Sequence, residues 1–242
     1  MPADTDSGTE HRTTGDNPGA RRPGPRRPGR GGPPLPLPIA AYAGLTIAAA
    51  VTYPGVMPTD DAPTVLATLQ ASPVQATVSA VLLVAASAPL AVWTAAATHR
   101  LQGLGARVAG PVIGLVGGIL AAGSLAVSGL VAWTASMAAS LGDPALVRAL
   151  STMSFAFGGV GFALGSALLL AGVAVPSLIL RLVPRWLAIA GIVVAAVGAA
   201  SVLSLAVPML FPLLPVVRFG GLLILIGLSV ALPLSRRAPT TA

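Results

Sequence analysis

The chain has no cysteine and no lysine, and charged residues make up only 9% of its 242 positions. Without cysteine there can be no disulfide, no thiolate metal site and no Cys nucleophile, and the redox compartment leaves no mark on the sequence. Without lysine, all fourteen cations are arginine, a composition that fits a high-GC bacterium when joined to the heavy use of Ala, Gly and Pro. Histidine is scarce as well: His11 lies in the N-terminal segment and His99 beside Arg100. HExxH and GxSxG motifs are both missing, and no acidic pair lies within an apolar run, so the sequence offers no intramembrane catalytic constellation. His99 at a helix end reads as an interfacial anchor, and the expectation is a protein that is not an enzyme and needs no cofactor or metal.

Soluble domains are near a quarter charged. At 9% charged and 55% apolar, with a mean hydropathy of +0.86, this chain reads as a polytopic membrane protein. Six runs approach the length of about 20 residues needed to cross a hydrocarbon core: 38–57, 74–98, 111–133, 153–180, 185–207 and 216–233. None alternates as a lipid-facing barrel strand does, so each must satisfy its backbone as a helix. The fold class is all-α: a six-helix transmembrane domain over 38–233, preceded by a Pro/Gly/Arg-rich segment over 1–37 that is expected to be disordered and followed by a short basic tail over 234–242. The long polar lead and long first apolar run predict an uncleaved first span rather than a signal peptide.

Arginine placement predicts the orientation. With the N-terminus in the cytoplasm, inner segments hold Arg12, Arg21, Arg22, Arg26, Arg27, Arg30, Arg100, Arg107, Arg181, Arg185, Arg236 and Arg237, and only Arg148 and Arg218 fall outside. Both termini are then cytoplasmic, in a bacterial inner membrane. Tyr42, Trp93 and Trp186 are expected at the inner interface, and Tyr53, Trp133, Phe155 and Phe219 at the outer one. The outer loops DDAPTVLATL (60–69) and GDPALVRAL (142–150) each set Asp before Pro and an apolar stretch. That pattern predicts two short Asp-capped helices on the outer face.

Small residues recur every fourth position in span 3 (Gly110, Gly114, Gly118), span 4 (Gly161, Gly165) and span 5 (Gly191). Such faces let helix backbones approach closely. They serve packing within the chain or, alternatively, contact between copies in a homo-oligomer. Pro89 and Pro176, with Ser87 and Ser177 close by, predict kinks in spans 2 and 4. The adjacent Asp60 and Asp61 read as caps and topology signals rather than a cation cage. The spans are expected to hold no ionisable group in their interiors, which argues against ion-coupled transport. Arg218, at the expected outer start of span 6, is the cation that orientation does not explain; it is expected to snorkel to headgroups or to pair with Asp143 or an acid of the first loop.

The stretch LRLVPRWLAIAGIVVAAVG, residues 180–198, resembles the inner-loop and span-5 signature of the DUF4386-like bacterial integral membrane proteins. The general plan of about six spans is similar too, whereas span 1 lacks the opening associated with that family. The resemblance implies membrane class and brings no activity with it. Sequence alone therefore points to a non-enzymatic structural, regulatory or interaction protein, or alternatively to a facilitator or channel for a small neutral or hydrophobic solute, marked by a polar groove through Ser87, Thr94, Ser124, Ser128, Ser166 and Ser177.

The densest charge lies in RRPGPRRPGRGG, residues 21–32. Interleaved Pro and Gly keep it extended, so it offers no fixed surface for reading bases, and no nucleic-acid partner is expected despite a pI near 11.6. Its Arg21, Arg22, Arg26, Arg27 and Arg30 should instead hold anionic headgroups at the inner face, at about 1 kcal/mol each. The expected partner is thus the lipid bilayer.

Overall fold

A computed structural model describes residues 34–233, and all regular structure among them is helical. The arginines of 21–30 and the C-terminal tail lie outside the described residues. In chain order the helices are α1 (Pro36–Thr52), α2 (Ala62–Ala71), α3 (Pro73–Gly103), α4 (Gly110–Ala138), α5 (Pro144–Phe155), α6 (Phe162–Ile179), α7 (Arg185–Ala200), the short α8 (Leu213–Pro215) and α9 (Gly221–Ala231). Five helical stretches are long and apolar enough to cross a membrane: Pro73–Gly103, Gly110–Leu141, Pro144–Ile179, Arg185–Leu205 and Pro208–Ala231. The first expected span is shorter than predicted. α1 ends at Thr52 because Pro54 excludes the helical conformation from Tyr53, which is extended at φ −66°, ψ 129°. Its 17 residues stand at the lower limit for crossing a bilayer.

The two Asp-led segments both become helices, with different fates. Asp61 accepts a hydrogen bond from the Thr64 amide at 3.2 Å, and Asp143 accepts from the amides of Ala145 at 2.9 Å and Leu146 at 3.2 Å. Hydrogen bonding from Thr64 also holds the Asp61 carboxyl below its ordinary range. The resulting stabilisation is present above the ordinary carboxylate pKa and is lost as the pH falls through the lowered one. Past α2, Pro73 forces Ser72 out of the helix (φ −134°, ψ 52°), so α2 stays a separate element. No proline follows α5, and it runs on through a π-helical segment, Ala156–Gly161, into α6. The second outer helix is therefore one end of a 36-residue helix rather than a separate piece on the surface.

Neighbouring long helices run antiparallel, as the residues that meet make plain. Along α4 and α6, Gly110 faces Pro176, Gly114 faces Gly172, and Gly165 faces Ala121. Between α3 and α4, Gly118 meets Thr94 and Gly129 meets the Ala80 carbonyl. In the third pair, Gly191 on α7 lies against Ala174 and Gly198 against Ala163. Each glycine expected to pack thus lies against another part of the same chain, Gly161 meeting Ser124. The tightest backbone-to-backbone approach is Gly114 to Gly172: a Cβ on Gly172 would run into the Gly114 backbone. Gly172 escaped the sequence reading because it stands seven residues from Gly165, outside the four-residue register.

Two aromatic residues expected at an interface are core residues instead. Trp93 is fully buried and donates from Nε1 to Ser229 Oγ at 2.6 Å, while Ser229 donates to the Leu225 carbonyl at 2.7 Å. Tyr42 is buried beside it in the cluster that also holds Leu35, Ile39 and Leu228. An indole in an apolar interior needs a partner for its N–H, and Ser229 supplies one. Trp133, Trp186, Tyr53 and Phe219 do remain exposed.

Because the α4–α6 contact is backbone against backbone, Gly172→Val should cost about 1–3 kcal/mol or more through overpacking. Gly123 on α4 has nothing within 4 Å of a Cβ position, so Gly123→Val should melt in detergent close to the parent. Equal melting temperatures for the two variants would refute the packing assignment.

Candidate functional site

The space left between the helices gathers at one end of the bundle. A cavity of about 460 Å³ is bounded by the end of α1 and the loop after it, the first turns of α3, the last turns of α4, the α5–α6 junction and the irregular stretch Phe211–Phe219. Its walls are mainly Ala, Leu, Phe and Pro, with the hydroxyl-bearing residues Thr46, Tyr53, Ser79, Ser128, Ser151 and Ser154 and a single charged side chain, Arg218. That size and character are those of a small-molecule site.

Arg218 owes its position to local helix irregularity. The helical stretch containing it starts at Pro208, not at 216 as expected from sequence. Instead of lying at an outer helix end, Arg218 falls within the span, half-buried, which overturns the expectation that no ionisable group would do so. It belongs to a π-helical segment, Val216–Gly220, and faces the other one, Ala156–Gly161. There the amide of Phe162 reaches the carbonyls of Phe157 and Gly159, passing over Gly158. The Gly158 carbonyl accepts a long hydrogen bond from Arg218 Nη1 at 3.4 Å. The guanidinium also stands over the Phe162 ring, 5.2 Å from its centre, a cation–π arrangement. π segments of this kind recur at functional sites.

The expected pairing with Asp143 is not formed: the Asp143 carboxylate caps α5, and Arg218 turns instead to Gly158 and Phe162. Asp60 is engaged in the same way as Asp143, accepting from the Met57 amide at 2.8 Å. Among the described residues no cluster of three or more His, Asp or Glu side chains could hold a metal ion.

The cavity hydroxyls divide into satisfied and unsatisfied. Ser128 and Ser154 bind reciprocally across α4 and α5: Ser128 Oγ donates to the Ser154 carbonyl at 2.8 Å, and Ser154 Oγ to the Ser128 carbonyl at 2.9 Å. Ser79 donates to the Ala49 carbonyl at 2.9 Å, joining α3 to α1. Thr46 is different: it is 1% exposed, and its hydroxyl oxygen is shut off from cavity and solvent alike, with the Tyr42 hydroxyl as its polar neighbour and no hydrogen bond of ordinary length. Other helical threonines donate to the carbonyl four residues back, Thr52 to Ala48 at 2.8 Å and Thr94 to Leu90 at 2.9 Å. Thr46 makes no such bond, and it lines the cavity.

Sequence reasoning singled out Arg218 and Ser128 but missed Thr46, Gly158 and Phe162. A sign was present in FGGVG, residues 157–161, where three glycines in five positions loosen a helix enough to take up an extra residue. Of the six groove residues expected for a conduit, Ser128 alone lines the cavity. Ser87 donates to Val84 at 2.6 Å and Ser177 to Val173 at 2.7 Å, each within its own helix. Neither repairs the carbonyl its neighbouring proline leaves free, which belongs to Ala85 or Gly172.

No protein-family model matches the chain, and comparison with curated proteins and with solved structures finds no match.

Since Arg218 and Asp143 do not meet, a double-mutant cycle of Arg218→Met and Asp143→Asn should give a coupling below about 0.5 kcal/mol. Methionine keeps the length and removes a poorly compensated charge, so Arg218→Met should melt at or above the parent temperature. A fall of several degrees together with strong coupling to Asp143 would refute this account of the site.

Proposed function

We propose that this chain is a non-enzymatic binding protein of the bacterial inner membrane, with six spans and both termini in the cytoplasm, that holds a small, largely apolar molecule in the cavity at the outer end of its bundle. The cavity carries the reading: it joins an apolar wall to a few hydroxyls and one cation, and none of its lining residues is a His, Cys, Asp or Glu that could serve as nucleophile or base. The orientation rests on the inner excess of arginine, with α1 as the first span. In that orientation the cavity, with Tyr53, Pro58 and Phe211 in its wall, lies on the side away from Arg100, Arg107, Arg181 and Arg185. The role is then regulatory or one of interaction, exercised by occupancy of the site. Facilitated passage has less support, because the hydroxyls at the opposite end are taken up by backbone carbonyls. The DUF4386-like resemblance fits this class and adds no ligand.

Native mass spectrometry of the full chain, extracted from its own membrane in mild detergent, tests the reading. A bound small molecule should be released from the parent and be missing from Ala132→Phe, which fills the cavity wall. Identical spectra for the two proteins would sink the proposal.

A chain without cysteine also permits a clean test of orientation. Single cysteines at Asp60 and Gly142 should react in intact cells with a thiol reagent that cannot cross the membrane, whereas cysteines at Gly105 and Leu182 should react only after permeabilisation. The opposite pattern would invert the topology.

A further inference from the structure

The ligand class can be narrowed, granted the reading of the cavity as a binding site. We propose that the cavity takes a single-chain amphiphile whose anionic head, a carboxylate or a phosphate, meets Arg218 and whose chain lies against the apolar wall.

A guanidinium has five N–H donors, and Arg218 uses one of them, in a 3.4 Å bond to Gly158. No carboxylate pairs with it among the described residues, and all three acids among them, Asp60, Asp61 and Asp143, are engaged by backbone amides. A charge in an apolar span is costly unless paired, and an ionisable side chain kept there points to a functional partner. Planar and forked, the guanidinium matches a carboxylate or phosphate in a bidentate way. A neutral apolar ligand would leave those donors unmet.

The second sign is where that cation stands: Arg218 is the one charged side chain on a cavity wall that is otherwise apolar apart from a few hydroxyl-bearing residues.

Volume and lining then choose the rest of the molecule. About 460 Å³ lies at the small end of ligand sites, which favours one acyl chain over a two-chain lipid. Ala49, Ala80, Leu83, Ala132, Leu214 and Phe219 offer that chain an apolar wall.

Equilibrium binding of radiolabelled laurate to the full-length protein in phosphatidylcholine nanodiscs, with empty nanodiscs as the partition blank, tests the proposal. Laurate should bind saturably and be displaced by dodecyl phosphate, whereas dodecanol should compete roughly tenfold less well or worse, the worth of one charge-assisted hydrogen bond. If only one of laurate and dodecyl phosphate binds, the head is assigned to that one. Arg218→Met should lose roughly tenfold in laurate affinity, and Arg218→Lys should recover part of it. Arg148→Ala, at the same end of the bundle but outside the cavity wall, should bind as the parent does. Where Arg218→Met does not fold, the competition series on the parent protein decides alone. Saturable binding of dodecanol as tight as laurate and indifferent to Arg218 would overturn the anionic head while leaving the cavity a binding site. Displacement by phosphatidylglycerol alone would overturn the single chain. No saturable binding of any probe would overturn both this inference and the function on which it rests.

Discussion

The bundle is organised by the contact of α4 with α6, where Gly114 and Gly172 bring two backbones together with no side chain between them. In lipid no hydrophobic force drives helices into contact, because the solvent is as apolar as the side chains. Close approach must supply the dispersion energy instead, and only glycine permits it there. Once α4 and α6 are fixed, their outer faces set the remaining positions. α3 lies on α4 through Thr94 and Gly118, and α7 lies on α6 through Gly198 and Ala163. α1 and α9 close over α3, the latter through the Trp93–Ser229 hydrogen bond.

The cavity is a consequence of where this regularity fails. α3 and α4 run for 31 and 29 residues, but α1 stops after 17. Beyond Thr52 the wall consists of a loop held by Tyr53, whose hydroxyl donates to the Val56 carbonyl, and of Leu69 from α2. On the opposite side, Pro208, Pro212 and Pro215 break the approach to α9 into short turns, so regular helix is restored only at Gly221. Between the two irregular edges no helix supplies large side chains to fill the space. Phe155 and Phe211 meet edge to face at 5.1 Å and form part of the wall rather than a plug.

Much of the architecture was legible from sequence because its causes are local. Run length marks the spans, Asp61 and Asp143 announce the helix starts they cap, and Pro54 ends α1 in a way that the position of a proline makes plain. What could not be read depended on two distant segments meeting. The separation of α2 from α3 and the fusion of α5 to α6 turn on one proline, Pro73, which the sequence shows but which hydropathy ignores. Trp93 and Tyr42 sit where an aromatic belt would, and only the packing of α9 against α3 shows that Ser229 has taken the indole into the core. For Arg218 the failure was one of register. A helix started at 216 puts the residue at its mouth, whereas the π segments and the early start at Pro208 carry it inward to Gly158.

That inward shift changes what the polar groups of the bundle mean. Toward the arginine-rich end the hydroxyls are spent locally: Ser87 and Ser177 bond their own helices, and Thr98 reaches the Pro111 carbonyl at 3.3 Å. A path for a polar solute needs donors and acceptors free to replace its water along the whole length, and at that end they are already taken. At the cavity end the balance is reversed, for Arg218 stands on the wall with one weak hydrogen bond. Unmet hydrogen-bonding capacity confined to one end of a bundle favours a molecule that enters and stays over one that passes through. It also sets the direction in which that molecule lies, with its polar head drawn to the cation and its apolar body left to the alanine and leucine wall.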